Sequence, residues 1–99
     1  MANTETEDQS AVTLTLDEEI GVAQVPELRD RLLELAAMQS DVAIDAKAVS
    51  SVETSTLQLL LAFVRSVELG GNHVTWEPPS DVFSRQVGLC GLGDELGVI

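Results

Sequence analysis

Residues 51–69 constrain this chain more than any other stretch. A hydroxyl-rich opening, Ser51-Val52-Glu53-Thr54-Ser55-Thr56, leads into Leu57-Gln58-Leu59-Leu60-Leu61-Ala62-Phe63-Val64, and the pair Gly70-Gly71 closes the run. Hydroxyl residues ahead of an apolar-periodic segment, with glycine after it, are the start and stop signals of a helix. About fifteen helical residues rising 1.5 Å each span roughly 22 Å, one diameter of a small domain. Leu57, Leu60, Leu61, Val64 and Val67 fill the i, i+3, i+4, i+7 face, and Leu59 with Phe63 widen it. The spacing predicts a central helix buried on more than one side, with the rest of the chain packed around it.

The flanking segments supply the other layer. Val12-Thr13-Leu14-Thr15-Leu16 alternates apolar and polar residues, the period of a half-buried strand, and Ile20 with Val22 can add a short extended piece. Pro26 suits the first turn of a helix, and Leu28, Leu32, Leu35 and Ala36 then form one stripe, so a first helix is expected over about residues 26–38. On its outer side Glu27 and Arg31 have the spacing of an attractive i, i+4 pair. Val42-Ala43-Ile44-Asp45 reads as an interior parallel strand whose carboxyl end faces a site. His73-Val74-Thr75-Trp76 reads as a third strand, ended by Pro78-Pro79. Ser80 can cap a third helix through about Val87, and a last short turn fits around residues 94–96. Strand, helix, strand, helix, strand, helix gives an α/β domain with a small, mostly parallel sheet and helices packed on it.

Composition narrows the functional classes. The chain's 99 residues, 44% of them hydrophobic, suit one domain over residues 11–99 behind an acidic tail over residues 1–10. With one cysteine, Cys90, there is no internal disulfide to argue for secretion. No basic region precedes an apolar core of signal-peptide type, and no apolar run approaches the eighteen or so residues of a membrane helix, so a cytoplasmic protein without direct membrane insertion is expected. Seventeen acidic against five basic side chains, a net charge of -12, repel phosphate backbones, which argues against nucleic-acid binding.

Catalytic constellations are absent from the pattern. The one histidine, His73, stands at a strand start without a paired carboxylate, and Cys90 lies between Leu89 and Gly91 without basic neighbours, as a buried inert thiol would. No spacing of His, Cys, Asp or Glu suggests a metal cage, and no glycine-rich strand-to-helix turn suggests a phosphate cradle, so no cofactor and no enzymatic activity are expected. The opening of the central helix remains. Ser55 with Gln58 fits the capping-box spacing, and Thr54 is an equally good N-cap. The same hydroxyls can instead be phosphate acceptors, since the amino end of a helix favours negative charge.

Taken together, Pro26-Glu27-Leu28-Arg29, Val42-Ala43-Ile44-Asp45 followed by Val49 and Val52, Glu53-Thr54-Ser55-Thr56-Leu57, Gly70-Gly71-Asn72-His73-Val74 and Gly91-Leu92 resemble the STAS domain. This is the fold of bacterial anti-sigma factor antagonists, also found on anion transporters and in stand-alone bacterial proteins. The resemblance covers residues 12–96. It implies that Thr54 is the position phosphorylated by a cognate kinase, with Ser55 and Thr56 as lesser candidates, and that Asp45, Ser51, Glu53, Thr54, Ser55, Thr56 and Gln58 belong to a partner-binding loop. Glu53 stands where the family has Asp, Thr56 where it usually has Gly, Gly21 where antagonists often carry an acid, and Gln24 where a Thr caps the first helix. Thr56 is accordingly expected to have ordinary helical geometry and to narrow the partner's approach.

The resemblance also implies the partner: an anti-sigma factor, a histidine-kinase-like ATPase or another signalling component. Residues 74–83 look like small stand-alone members, some associated with chemotaxis gene clusters and some with a phospholipid-transport complex. The alternative is therefore a constitutive subunit of a larger assembly such as a phospholipid-transport ATPase.

Overall fold

The computed structural model describes residues 11–98, and the acidic tail expected over residues 1–10 lies outside them. In chain order the elements are β1 (Ala11–Thr15), β2 (Glu19–Ile20), α1 (Val25–Ala37), β3 (Asp41–Asp45), β4 (Ser51–Val52), α2 (Thr54–Leu69), β5 (Val74–Trp76), α3 (Asp81–Leu89) and α4 (Gly93–Leu96), with a 3-10 turn over Val22–Gln24 leading into α1. Strands β1, β3 and β5 form a parallel sheet in that order, with Val12 opposite Val42 and Val42 opposite Val74. The expected interior strand is therefore the centre of the sheet. Its burial alternates, with Val42 and Ile44 buried and Ala43 only half-buried, so one face of the sheet carries the core.

Onto that face α2 sets Leu57, Leu60, Leu61, Phe63, Val64 and Val67, all buried, beside Leu32 and Leu35 of α1 and Phe83 and Val87 of α3. The breadth of the leucine face read from the sequence is what lets one helix pack on α1, α4 and strand β5. Its stop is a Schellman motif: Gly71 holds φ at +89°, its amide donates to the Glu68 carbonyl at 3.0 Å, and the Asn72 amide donates to the Val67 carbonyl at 3.1 Å. A side chain at Gly71 would be forced into the left-handed region, which is why glycine stands there.

The short extended piece expected at Ile20 and Val22 forms at Glu19–Ile20, with Val22 already in the 3-10 turn, while β4 and its pairing had no counterpart in the pattern of the sequence. Strands β2 and β4 pair in parallel, Glu19 with Ser51 and Ile20 with Val52, as a separate two-stranded ribbon. The expected Glu27 to Arg31 ion pair does not form. The ion pairs found among the described residues are Lys47 with Glu77 at 3.3 Å and Arg65 with Glu95 at 3.2 Å, both long-range and exposed, where such contacts contribute little.

Ser80 is the helix cap its position suggests. Its Oγ accepts from the Phe83 amide at 3.1 Å and donates to the Val49 carbonyl at 2.6 Å, joining α3 to the loop before β4. Ser80→Ala is expected to lower stability by about 1–2 kcal/mol, because it removes a cap and leaves a half-buried carbonyl without its donor. Urea denaturation of the two proteins measures the difference.

Candidate functional site

The two-residue ribbon decides how the chain enters α2. The amides of Ser50 and Ser51 donate to the Glu18 carbonyl at 2.7 and 3.1 Å, and the Glu53 amide donates to the Ile20 carbonyl at 3.3 Å. These bonds hold Glu53 extended, at φ -92° and ψ 156°, so Glu53 is the N-cap residue and the helix begins at Thr54. No side chain caps this helix. The capping roles expected of Thr54 and of Ser55 with Gln58 are thereby overturned: a residue already in helical conformation cannot turn its hydroxyl onto the amides of the first turn as an N-cap does.

The three hydroxyls then part company. Thr54 and Ser55 are exposed, whereas Thr56 is fully buried, 0% accessible, with its Oγ1 3.4 Å from the Ile20 carbonyl it donates to. Thr56 has helical geometry, as expected, but it faces inward and narrows nothing outside. Thr54 Oγ1 lies 3.7 Å from Cys90 Sγ at the end of α3. Cys90 is half-buried rather than the buried thiol its apolar neighbours suggested.

Gly21 and Gln24 adjoin the same opening. The Gln24 Oε1 accepts from the Gly21 amide at 2.8 Å, and a side chain added at Gly21 would place its Cβ 3.7 Å from Glu53 Oε2. Glu53 therefore reaches over Gly21, and an acid at position 21 would set two carboxylates side by side. Ser51 and Gln58 are exposed on either side of the opening. Asp45 stands apart, its Oδ1 accepting from the Lys47 amide at 3.0 Å within its own loop.

The face also carries residues that the pattern of the sequence did not single out. Val22 is 69% exposed in the turn beside Gly21, and Leu89 is 76% exposed next to Cys90. One signal for Leu89 existed: Phe83 and Val87 define the buried stripe of α3 at i, i+4, and Leu89 falls off it. Among the described residues no group of three His, Cys, Asp or Glu side chains could hold a metal ion, and no helix is long and apolar enough to cross a membrane.

A family model described as "Mlab, STAS domain" matches residues 3–98. The chain belongs to the STAS family. No curated protein matches it. STAS domains generally mediate protein–protein interactions, and the parallel sheet with helices packed on it agrees with the STAS fold. Gly21, Gln24, Glu53 and Thr56, the residues at which the sequence resemblance is inexact, are one cluster in space. The Glu53 carboxylate lies within van der Waals contact of where a side chain at Gly21 would begin, and the Thr56 hydroxyl donates to the Ile20 carbonyl that also receives the Glu53 amide.

Proposed function

We propose that this STAS domain is a non-catalytic signalling protein that binds a protein partner across the opening of α2, with Thr54 as the phosphate acceptor that switches the binding. The observation that carries this reading is the exposed Thr54 hydroxyl, with no capping duty, near chain segments that hold exposed Val22, beside Gly21, and exposed Leu89, beside Cys90. Burying those two side chains under a partner supplies hydrophobic stabilisation of about 25 cal/mol for each Å² of apolar surface. A phosphate on Thr54 adds about 1.5 to 2 negative charges. The free domain tolerates them, because the amino end of a helix favours anions. Beneath a docked partner the same charge is desolvated next to Glu53, and docking is opposed.

The partner class is a histidine-kinase-like ATPase, an anti-sigma factor or another signalling component of the chemotaxis-associated kind. A second reading rests on the resemblance of residues 74–83 to members of a phospholipid-transport complex. There the same face is covered constitutively and Thr54 stays unmodified.

Thr54→Glu and Thr54→Ala separate the two. The partner that copurifies with the tagged chain is titrated against each variant by calorimetry. A switch gives at least about tenfold weaker binding for Thr54→Glu, equivalent to about 1.4 kcal/mol, and near-normal binding for Thr54→Ala. Equal binding by both variants supports the constitutive subunit. Because Thr54 caps nothing, Thr54→Ala is expected to shift folding stability by less than about 0.5 kcal/mol.

A further inference from the structure

Beside the α2 opening, between the end of β1 and the first turn of α1, the surface holds a recess of about 190 Å³. Its lining is mixed: buried Leu16 and Ile20 and half-buried Leu28 lie among exposed Asp17, Glu27 and Arg31. The volume falls below the roughly 300 Å³ at which small-molecule pockets begin, and suits one long side chain. The recess is continuous with the docking face. Gln24 lines it while holding the Gly21 amide, and Ile20 lines it while its carbonyl receives the Glu53 amide and the Thr56 hydroxyl.

We infer that this recess receives a lysine or arginine side chain of the protein partner, anchoring it next to Thr54. The inference rests on the docking reading above and adds the chemistry of the contact. A mixed lining with exposed carboxylates is what a long cationic side chain matches: its methylenes lie along half-buried Leu28, and its head reaches Asp17 and Glu27, where water remains. Charge chooses the sign. Two carboxylates, Asp17 and Glu27, line the recess against one guanidinium, Arg31 and Glu27 make no ion pair within 4 Å, and exposed Glu18 and Glu19 follow Asp17 in the chain. The overall charge of -12 points the same way and disfavours a second copy of the chain as the occupant.

The test uses the 15N-labelled full chain and three probes: N-acetyl-arginine amide, N-acetyl-norleucine amide and N-acetyl-glutamate amide. The arginine probe is expected to move the amides of residues 14–17, 20, 24 and 27–28 saturably, and to bind more tightly as salt is lowered. The norleucine probe should bind at least about fivefold more weakly, since it keeps the stem and lacks the charge-assisted contacts. Asp17→Asn combined with Glu27→Gln should weaken the arginine probe by a similar factor while leaving the remaining spectrum in place, and Thr54→Glu should not weaken it. Preference for the glutamate probe would assign the recess to anions through Arg31 and overturn the inference. So would unchanged arginine binding in the double variant, or no saturable shift at these amides. Because the probes do not require Thr54, failure here leaves the docking reading standing. Undiminished partner binding by both Thr54 variants, with arginine binding intact, would remove the switch reading alone.

Discussion

Thr56→Asp is expected to lower folding stability by at least about 3 kcal/mol, whereas Thr54→Asp should leave it within about 1 kcal/mol of the parent. The two hydroxyls belong to one turn of α2, yet their surroundings are opposite. Thr56 is fully buried and its one partner is the Ile20 carbonyl at 3.4 Å. A carboxylate there loses its hydration, meets an acceptor instead of a donor, and must either stay charged in the core or fold away from it. A small domain has only about 5–15 kcal/mol of stability in total, so a change of this size leaves a substantial unfolded fraction. At Thr54 the new charge stays in water at the amino end of a helix, where it is neutral or mildly favourable. Thermal unfolding followed by circular dichroism distinguishes the pair. Thr56→Val, which keeps the volume and removes the hydroxyl, should cost only about 1 kcal/mol. If Thr56→Asp melted like Thr54→Asp, the inward orientation of Thr56 would be wrong, and the choice of Thr54 as the accessible acceptor would lose its geometric basis.

Periodicity made much of the fold legible in advance. Alternation in residues 12–15 and the apolar run 42–45 marked two strands of the sheet, the leucine face marked α2, Gly70-Gly71 marked its stop, and Ser80 marked the start of α3. What escaped was backbone pairing between short, distant pieces. Strands β2 and β4 are two residues each and lie more than thirty residues apart, and nothing in two residues carries a period. That small omission propagated into the site. Pairing through the Ile20 carbonyl holds Glu53 extended and moves the helix start to Thr54, so local capping rules named the wrong residue: tertiary hydrogen bonds outweighed a local preference of about 1 kcal/mol. The hydroxyl cluster at the α2 opening was visible in the sequence, but its division into two exposed hydroxyls and one buried one was not, because it depends on which way the first turn faces. Asp45 showed the converse. Its place at the carboxyl end of the central strand was read correctly, while its carboxylate turned out to serve its own loop.

The second large effect concerns α3, whose end meets Thr54 through Cys90. Phe83→Ala is expected to lower stability by about 3–5 kcal/mol. Phe83 is 0% exposed, and its ring lies 5.4 Å from that of Trp76 at an interplanar angle of 35°, a tilted pair that contributes beyond its buried area. Trp76 is held on its other side, where Nε1 donates to the Leu96 carbonyl at 2.8 Å, so it cannot readily collapse into the space the lost ring leaves. Helix α3 has nine residues, too few to persist by propensity alone, and depends on Phe83, Val87 and the Ser80 cap for its place. Since the chain has one tryptophan, its fluorescence reports this layer directly during urea unfolding. Phe83→Leu, which keeps most of the volume, should cost roughly 1–1.5 kcal/mol. The functional consequence follows from where α3 ends. Cys90 stands beside Thr54, so on the proposed docking reading a variant that loosens α3 while the domain remains folded should weaken partner binding without touching the α2 opening itself. Partner binding that survived Phe83→Ala undiminished, at a temperature where the variant is folded, would place the partner on the Val22 side of Thr54 alone.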